Sequence, residues 1–183
     1  MSKADDAGSE IKGGRDAGER YGEGEVFRGD HDVTSRFNTK GRLKSHINDA
    51  GDLVRANPEG LYKGRKVTAI DANGGWSRYA KEQSPYTSFG WTDGVVAKYG
   101  GGGITLDLDG LRGAIAGGEV EGVEIVEHAE LLRQIDESEL SAFAKRKLSA
   151  CVKKDNEILV KGVIPNWFIT VEQDLDAEAI PSN

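Results

Sequence analysis

Apolar residues recur along the chain with two periods, and these periods predict the elements of the fold. Between residues 38 and 56 they recur at steps of three and four, which predicts an amphipathic helix that ends before Asn57-Pro58. Strict alternation over residues 104–109 predicts a half-buried strand. Shorter apolar runs predict further strands at 25–28, 67–70, 84–91, 123–127, 157–164 and 167–172. Helices are expected at 76–81, at 130–135, at 138–150 with Ser138 as the cap, and from Thr92 or Asp93 to Tyr99.

This order of elements predicts an α+β fold. Most of the predicted strands are separated by long connections, and the helices fall early and in the middle of the chain, so an alternating doubly wound sheet is not expected. A length of 183 residues suits one domain with a single core.

Composition divides the chain into three parts. Residues 1–24 contain almost no apolar side chain, a composition that does not repay the entropy of ordering, and we expect a flexible leader. Residues 25–175 form the expected folded domain, and residues 176–183 form a C-terminal tail. The start has no apolar signal-peptide core and no stretch approaches the ~18 apolar residues of a membrane span, so no membrane partner is expected.

Charge is unevenly distributed. The formal net charge is −7, which argues against a protein that binds nucleic acid with its whole surface. Residues 34–66 nevertheless carry eight Lys or Arg against three acids. This basic segment is interpreted either as a solvated helix face or as a surface that meets the phosphates of a cofactor or of RNA.

Several kinds of site are disfavoured. Gly100 to Gly103 are not followed by the Lys-Ser or Lys-Thr of a P-loop, and no G-x-G-x-x-G opens a helix. The three histidines lack zinc-ligand spacing, and Cys151, the single cysteine, is expected to be a small core residue. Asp107 and Asp109 would share one strand face and could hold a metal, although a solvated face is the better interpretation.

Three separated segments carry the most specific signal. They are Val26-Phe-Arg-Gly29, Ser84-Pro-Tyr-Thr-Ser-Phe-Gly-Trp-Thr-Asp93 and Asp155-Asn-Glu-Ile-Leu-Val-Lys-Gly-Val-Ile-Pro165. In order and spacing they resemble the motifs of the arginine, serine, glutamate class of bacterial ADP-ribosyltransferase toxins. The resemblance implies a split β-sandwich with helices around an NAD cleft.

The resemblance also implies roles for individual residues. Glu157 would be the catalytic carboxylate, oriented by Ser88, and Arg28 would bind the phosphate or ribose of NAD. Neighbours of these residues would complete the cofactor pocket: Gly29, Thr87, Phe89 and Tyr99. Because the family often shows a Ser-Thr-Ser run where this chain has Tyr-Thr-Ser-Phe, Thr87 and Ser88 could exchange roles.

One position departs from the family pattern. Members that modify arginine usually have Glu two residues before the catalytic Glu, and several others have Gln, whereas this chain has Asp155. The resemblance places Asp155 nearer the tip of the family's catalytic loop, where it would orient or deprotonate the acceptor nucleophile. The acceptor therefore stays open between protein and RNA.

The function implied is transfer of ADP-ribose from NAD, the co-substrate, to a macromolecule, with no metal. The leader fits the end of a larger secreted polymorphic toxin that acts in the cytoplasm of a target cell and is inhibited by a cognate immunity protein covering the NAD cleft. The alternatives are an NAD glycohydrolase toxin, a nuclease toxin tail that uses a pair such as His31 with a carboxylate, and a non-catalytic immunity or binding module.

Overall fold

Two three-stranded antiparallel sheets form the centre of this mixed α/β protein. The computed structural model describes residues 24–91 and 102–172. In the first sheet, β1 (Glu25–Asp30) and β10 (Ile169–Glu172) flank β7 (Gly102–Asp107). In the second, β6 (Tyr86–Phe89) and β8 (Glu124–Val126) flank β9 (Ile158–Lys161).

The two sheets are joined through their β1 and β6 strands. Phe27 and Gly90 exchange both backbone hydrogen bonds, each with an N···O distance of 2.8 Å. This pair fixes the position of β1 relative to the end of β6, so side chains on the two strands meet across the junction.

The helix predicted over residues 38–56 is wrong. The segment contains a small hairpin, β2 (His46–Ile47) paired with β3 (Leu53–Val54), and two turns of the same design. In each turn the side-chain oxygen of an Asn accepts hydrogen bonds from the backbone amides two and four residues later. Asn38 accepts from Lys40 and Arg42. Asn48 accepts from Ala50 and Asp52. Gly41 and Gly51 complete the turns with φ of 74° and 89°, a conformation that favours glycine.

The prediction of a strand over residues 67–70 is also wrong. The neighbouring hairpin pairs β4 (Leu61–Tyr62) with β5 (Arg65–Lys66), and the chain turns helical at Ala69 and enters a π-helical turn, Asp71–Gly75. The Thr68 amide donates to the Asp71 carboxylate at 2.9 Å, and the Asp71 amide donates to the Thr68 hydroxyl at 3.2 Å. This reciprocal cap starts a helix where the apolar run alone indicated a strand.

Four α-helices accompany the sheets in the described residues. They are α1 (Arg78–Glu82), α2 (Leu108–Ala116), α3 (His128–Asp136) and α4 (Ala142–Asp155). Helices α1 and α3 were predicted. Helix α2 was not, because its first turn continues the alternating run of β7; the Asp107 carboxylate accepts from the Gly110 amide and begins the helix there. Asp109 pairs with Arg112, so the two carboxylates do not share a strand face.

Helix α4 begins and ends later than predicted. Its N-cap is Ser141, whose hydroxyl accepts from the Ala144 amide, and the helix continues to Asp155. Val152 is fully buried, whereas its neighbour Cys151 is exposed. The prediction of Cys151 as a core residue is therefore wrong, since it lies on the solvent side of the helix.

Some predictions concern residues outside the described ranges. These are most of the leader at 1–24, the helix from Thr92 or Asp93 to Tyr99, and the tail at 176–183. Within residues 24–91 and 102–172, no helix is both long enough and apolar enough to cross a membrane.

The Asn48 turn generates a stability prediction. Replacing Asn48 with Ala removes an acceptor for two backbone amides, and we expect the free energy of unfolding to fall by about 1–3 kcal/mol in urea titrations. Asn48→Asp keeps the acceptor oxygen and should lose less than half as much. Equal losses in the two variants would show that the side-chain acceptor does not hold this turn.

Candidate functional site

The pairing of β6 with β9 brings Ser88 and Glu157 together. Ser88 pairs with Leu159, and Glu157 precedes Leu159 by two residues, so its side chain is the diagonal neighbour of Ser88 on the same face. The Ser88 hydroxyl donates to Glu157 Oε2 at an O···O distance of 2.5 Å, across a sequence separation of 69 residues. The short distance is typical of a charge-assisted hydrogen bond to a carboxylate.

A tight turn at the end of α4 positions Glu157. Asn156 adopts the left-handed conformation with φ 50° and ψ 52°, and its amide donates to the carbonyls of the last helical turn. The Glu157 amide donates to the Val152 carbonyl at 2.9 Å. The carboxylate thus stands on the second residue after the last residue of α4, directly before the fully buried Ile158.

Arg28 reaches the same place from the other sheet. It follows Phe27, whose backbone pairs with Gly90, and its guanidinium Nη1 donates to the Ser88 carbonyl at 3.2 Å. The structure therefore brings together Arg28, Ser88 and Glu157, three residues that the sequence resemblance selected from separate segments.

These three residues line an open cleft of about 670 Å³. That volume lies within the range of small-molecule and cofactor sites. Among the described residues that line it, seven are Lys or Arg and three are Asp or Glu. The cations are Arg28, Lys40, Arg42, Lys44, Arg55, Arg78 and Lys81. A protein of net charge −7 thus has a cationic cleft, which favours an anionic ligand.

Arg55 was counted within the basic segment of the sequence but was assigned no role of its own in the cleft. It follows β3, and its guanidinium donates to the carbonyls of Lys81 at 2.8 Å and Tyr86 at 3.2 Å. Burial, and then the charge of Arg28, lower the pKa of Arg55 to about 10. The buried Nε atom of Arg55 has no hydrogen-bond partner among the described residues. Two guanidiniums that repel each other beside a buried donor form a place where a bound anion would be stabilised.

Not every cation in the cleft is free to bind a ligand. Lys44 is buried, and its ammonium contacts the Asp30 carboxylate at 2.9 Å and the carbonyls of Asp32 and Ser35 at 2.8 and 2.6 Å. Asp30 is buried as well, so the pair neutralises itself. This ion pair fastens the segment just before β2 to the end of β1.

The basic segment of residues 34–66 contributes much of this charge. Lys40, Arg42, Lys44 and Arg55 line the cleft, whereas the three acids of the segment do not line it among the described residues. The signal in the sequence was the local excess of cations. Without the hairpin geometry, no pattern distinguished Arg55 from its neighbours.

The remaining predicted residues are placed as follows. Gly29 and Phe89 line the cleft. Thr87 does not: its hydroxyl lies 2.7 Å from that of Ser45 on the opposite face of β6, where both side chains are buried. Of the two candidate hydroxyls, the one that contacts Glu157 is Ser88. Tyr99 lies outside the described residues.

Asp155 was expected near the tip of a loop, and this is wrong. Its backbone belongs to the last turn of α4, because the helix continues five residues beyond its predicted end. The segment before Glu157 is therefore a helix terminus with a one-residue turn at Asn156.

The described residues contain no cluster of three or more His, Cys, Asp or Glu that could hold a metal ion. In comparisons with known proteins, no family model, no curated protein and no solved structure matches the chain. The interpretation of the site therefore depends on its geometry and on the motifs in the sequence.

The Arg28 and Arg55 pair predicts that the cleft binds inorganic pyrophosphate. At a concentration ten times the dissociation constant, the ligand should raise the Tm of the wild-type protein by about 3 °C or more. Arg55→Gln should lose most of this shift, because one of the two guanidiniums is removed. Arg146→Gln, which changes an exposed arginine of α4, is the matched control and should keep it; an undiminished shift in Arg55→Gln would contradict the assignment.

Proposed function

We propose that this chain is an NAD-dependent ADP-ribosyltransferase. The observation that carries the proposal is the contact between Ser88 and Glu157, beside Arg28, at the wall of a cationic cleft. A carboxylate held by a hydroxyl, together with a guanidinium fixed to the same strand, is the arrangement that the motif resemblance implies. The two antiparallel sheets joined at β1 and β6 are consistent with the split β-sandwich of that family.

The charge and the volume of the cleft support NAD as its ligand. NAD carries two phosphates in a pyrophosphate, and the guanidiniums of Arg28 and Arg55 place two positive charges at the cleft that would attract them. Tyr86, on the same face of β6 as Ser88, also lines the cleft. Glu157 is the carboxylate next to Ser88. We therefore assign the ribose on the nicotinamide side of NAD to the end of the cleft where these two residues lie.

The chemistry follows from the charge that develops on that ribose. The bond between its C1 atom and the nicotinamide nitrogen breaks, and nicotinamide leaves as a neutral molecule with the electron pair of the bond. The sugar becomes cationic, and the Glu157 carboxylate stabilises it, in part by accepting a hydrogen bond from the 2-hydroxyl that strengthens as charge builds.

A nucleophile then completes the reaction. An oxygen or nitrogen of the acceptor forms a bond to the C1 atom and releases a proton to a base or to solvent. Ser88 holds the carboxylate in position, and Arg28 holds both the phosphates and the Ser88 strand. Water in place of the macromolecule would give free ADP-ribose, the glycohydrolase outcome.

A nuclease use of His31 has weaker support. His31 Nδ1 lies 3.4 Å from an oxygen of Asp30, but that carboxylate is held by the buried ammonium of Lys44. A carboxylate bound in this way is a poor partner for moving protons.

The biological setting is proposed from the resemblance and the leader composition. The domain is the catalytic part of a larger secreted toxin that acts in the cytoplasm of a target cell. A cognate immunity protein would inhibit it by covering the cleft. Because the cleft is cationic, an acidic surface on that inhibitor is expected.

The central prediction concerns Glu157. Glu157→Gln keeps the size of the side chain and removes the charge, so nicotinamide release from NAD should fall by about 100-fold to 1000-fold with the fold intact by circular dichroism. Wild-type rates in the variant would exclude Glu157 as the catalytic carboxylate.

A second prediction separates the two neighbouring hydroxyls. Ser88→Ala removes the donor to Glu157 and should lower nicotinamide release by about tenfold or more, since one charge-assisted hydrogen bond contributes roughly 1.5–3 kcal/mol. Thr87→Val removes the hydroxyl on the opposite face of β6 with little change in shape, and it should keep most of the activity. The reverse ranking would assign the orienting role to Thr87.

A further inference from the structure

A mixed surface of rings and cations leads into the cleft from one side. We call it the cationic-aromatic face and define it by Tyr62, Lys63, Arg65, Trp76, Arg78 and Tyr79. Hairpin β4–β5 and helix α1, with the residues just before it, supply these side chains. Arg78 belongs both to this face and to the cleft, and Lys81 of the same helix also lines the cleft.

Three contacts of aromatic rings organise the face. The guanidinium carbon of Arg65 lies 3.7 Å from the centre of the Trp76 ring, and the Tyr62 and Trp76 ring centres are 5.0 Å apart. The Arg78 guanidinium lies 4.7 Å from the Tyr79 ring centre. The two contacts of Trp76 hold the hairpin against the segment before α1, with the planes of the two rings tilted by 58°. The Tyr79 side chain is half exposed.

Charge on this segment is strongly one-sided. Residues 61–81 contain five Lys or Arg and one acid, Asp71. That carboxylate is buried, accepts the Thr68 amide and lies 3.7 Å from Arg65. The exposed charges of the segment are therefore cationic, in a protein whose net charge is −7.

We propose that the cationic-aromatic face binds a single-stranded nucleic acid and delivers it to the cleft as the acceptor of ADP-ribose. A half-exposed ring, Tyr79, and two partly exposed rings, Tyr62 and Trp76, lie among cations. This arrangement matches the two repeating parts of a single strand, because bases stack on aromatic and guanidinium planes and phosphates pair with Lys and Arg. An acidic protein would also engage the cations, but only a nucleic acid offers the face of a base beside every phosphate. A duplex hides the faces of its bases and would lose the stacking.

Delivery to the cleft rests on the proposed function, whereas binding to the face does not. In the transfer step, a hydroxyl or ring nitrogen of the strand bonds to the C1 atom of the ribose, neutral nicotinamide leaves with the electron pair, and the proton of the nucleophile goes to solvent. No further reactant is needed.

Binding is tested with the full chain and fluorescein-labelled 20-nucleotide RNA and DNA, single-stranded and duplex, by fluorescence anisotropy without NAD. Single strands should bind more tightly than duplexes. If about four phosphates are contacted, affinity for the single strand should fall about 50-fold between 50 and 200 mM salt.

Paired variants locate the binding surface. Lys63→Glu with Tyr79→Ala removes one cation and one ring from the face, and affinity for the single strand should fall about tenfold or more. Lys147→Glu with Phe143→Ala makes the same two kinds of change at exposed positions of α4 and should bind like the wild type. Equal losses in both double variants, or no loss in the first, would overturn the proposal.

Transfer is tested with biotin-labelled NAD and the unlabelled RNA and DNA. The proposal is supported if the wild-type protein labels the single strand, if Lys63→Glu/Tyr79→Ala labels it less, and if Lys147→Glu/Phe143→Ala labels it as much as the wild type. Cleavage of NAD with label on added cell protein and none on either nucleic acid would overturn it while the transferase proposal survives. Binding of single strands without any NAD cleavage would overturn the proposed function and the delivery step, and would leave the face as a nucleic-acid site.

Discussion

The hydrogen bond from Ser88 to Glu157 depends on one strand register, and the candidate site depends on that bond. Ser88 and Leu159 pair in β6 and β9, which makes Glu157 a diagonal neighbour of Ser88. A slip of one residue would turn Glu157 to the opposite face of the sheet. Ile158 and Val160 pack in one core cluster and Leu159 packs in another on the opposite side of β9; together with the left-handed turn at Asn156 they hold this register. The Phe27–Gly90 backbone pair then adds Arg28 from the other sheet.

The charge of the site is local and is maintained against the charge of the whole protein. Arg28 and Arg55 lie close enough that each disfavours the charge of the other, and burial adds to this cost at Arg55. Lys44 does not contribute, since Asp30 neutralises it. An anion between the two guanidiniums would offset their repulsion. We therefore propose this repulsion as the source of affinity for a pyrophosphate group.

Sequence patterns predicted the strands that hold Arg28, Ser88 and Glu157, because each strand combines buried apolar residues with turn residues at its ends. They failed at residues 38–56, where the apolar spacing was helical but Asn38 and Asn48 bind the backbone of their own turns. They failed again at Thr68 and Asp71, where a reciprocal cap decides the local structure. The position of Arg55 in the cleft could not be predicted from the sequence, because it depends on backbone carbonyls of a segment about thirty residues away.

The most direct test of the account is a crystal structure of the Glu157→Gln protein with intact NAD. The account predicts the nicotinamide ribose beside residue 157 and Ser88, with the pyrophosphate between the guanidiniums of Arg28 and Arg55. NAD bound elsewhere on the protein, with the cleft between β1 and β6 filled only by solvent at saturating NAD, would contradict it.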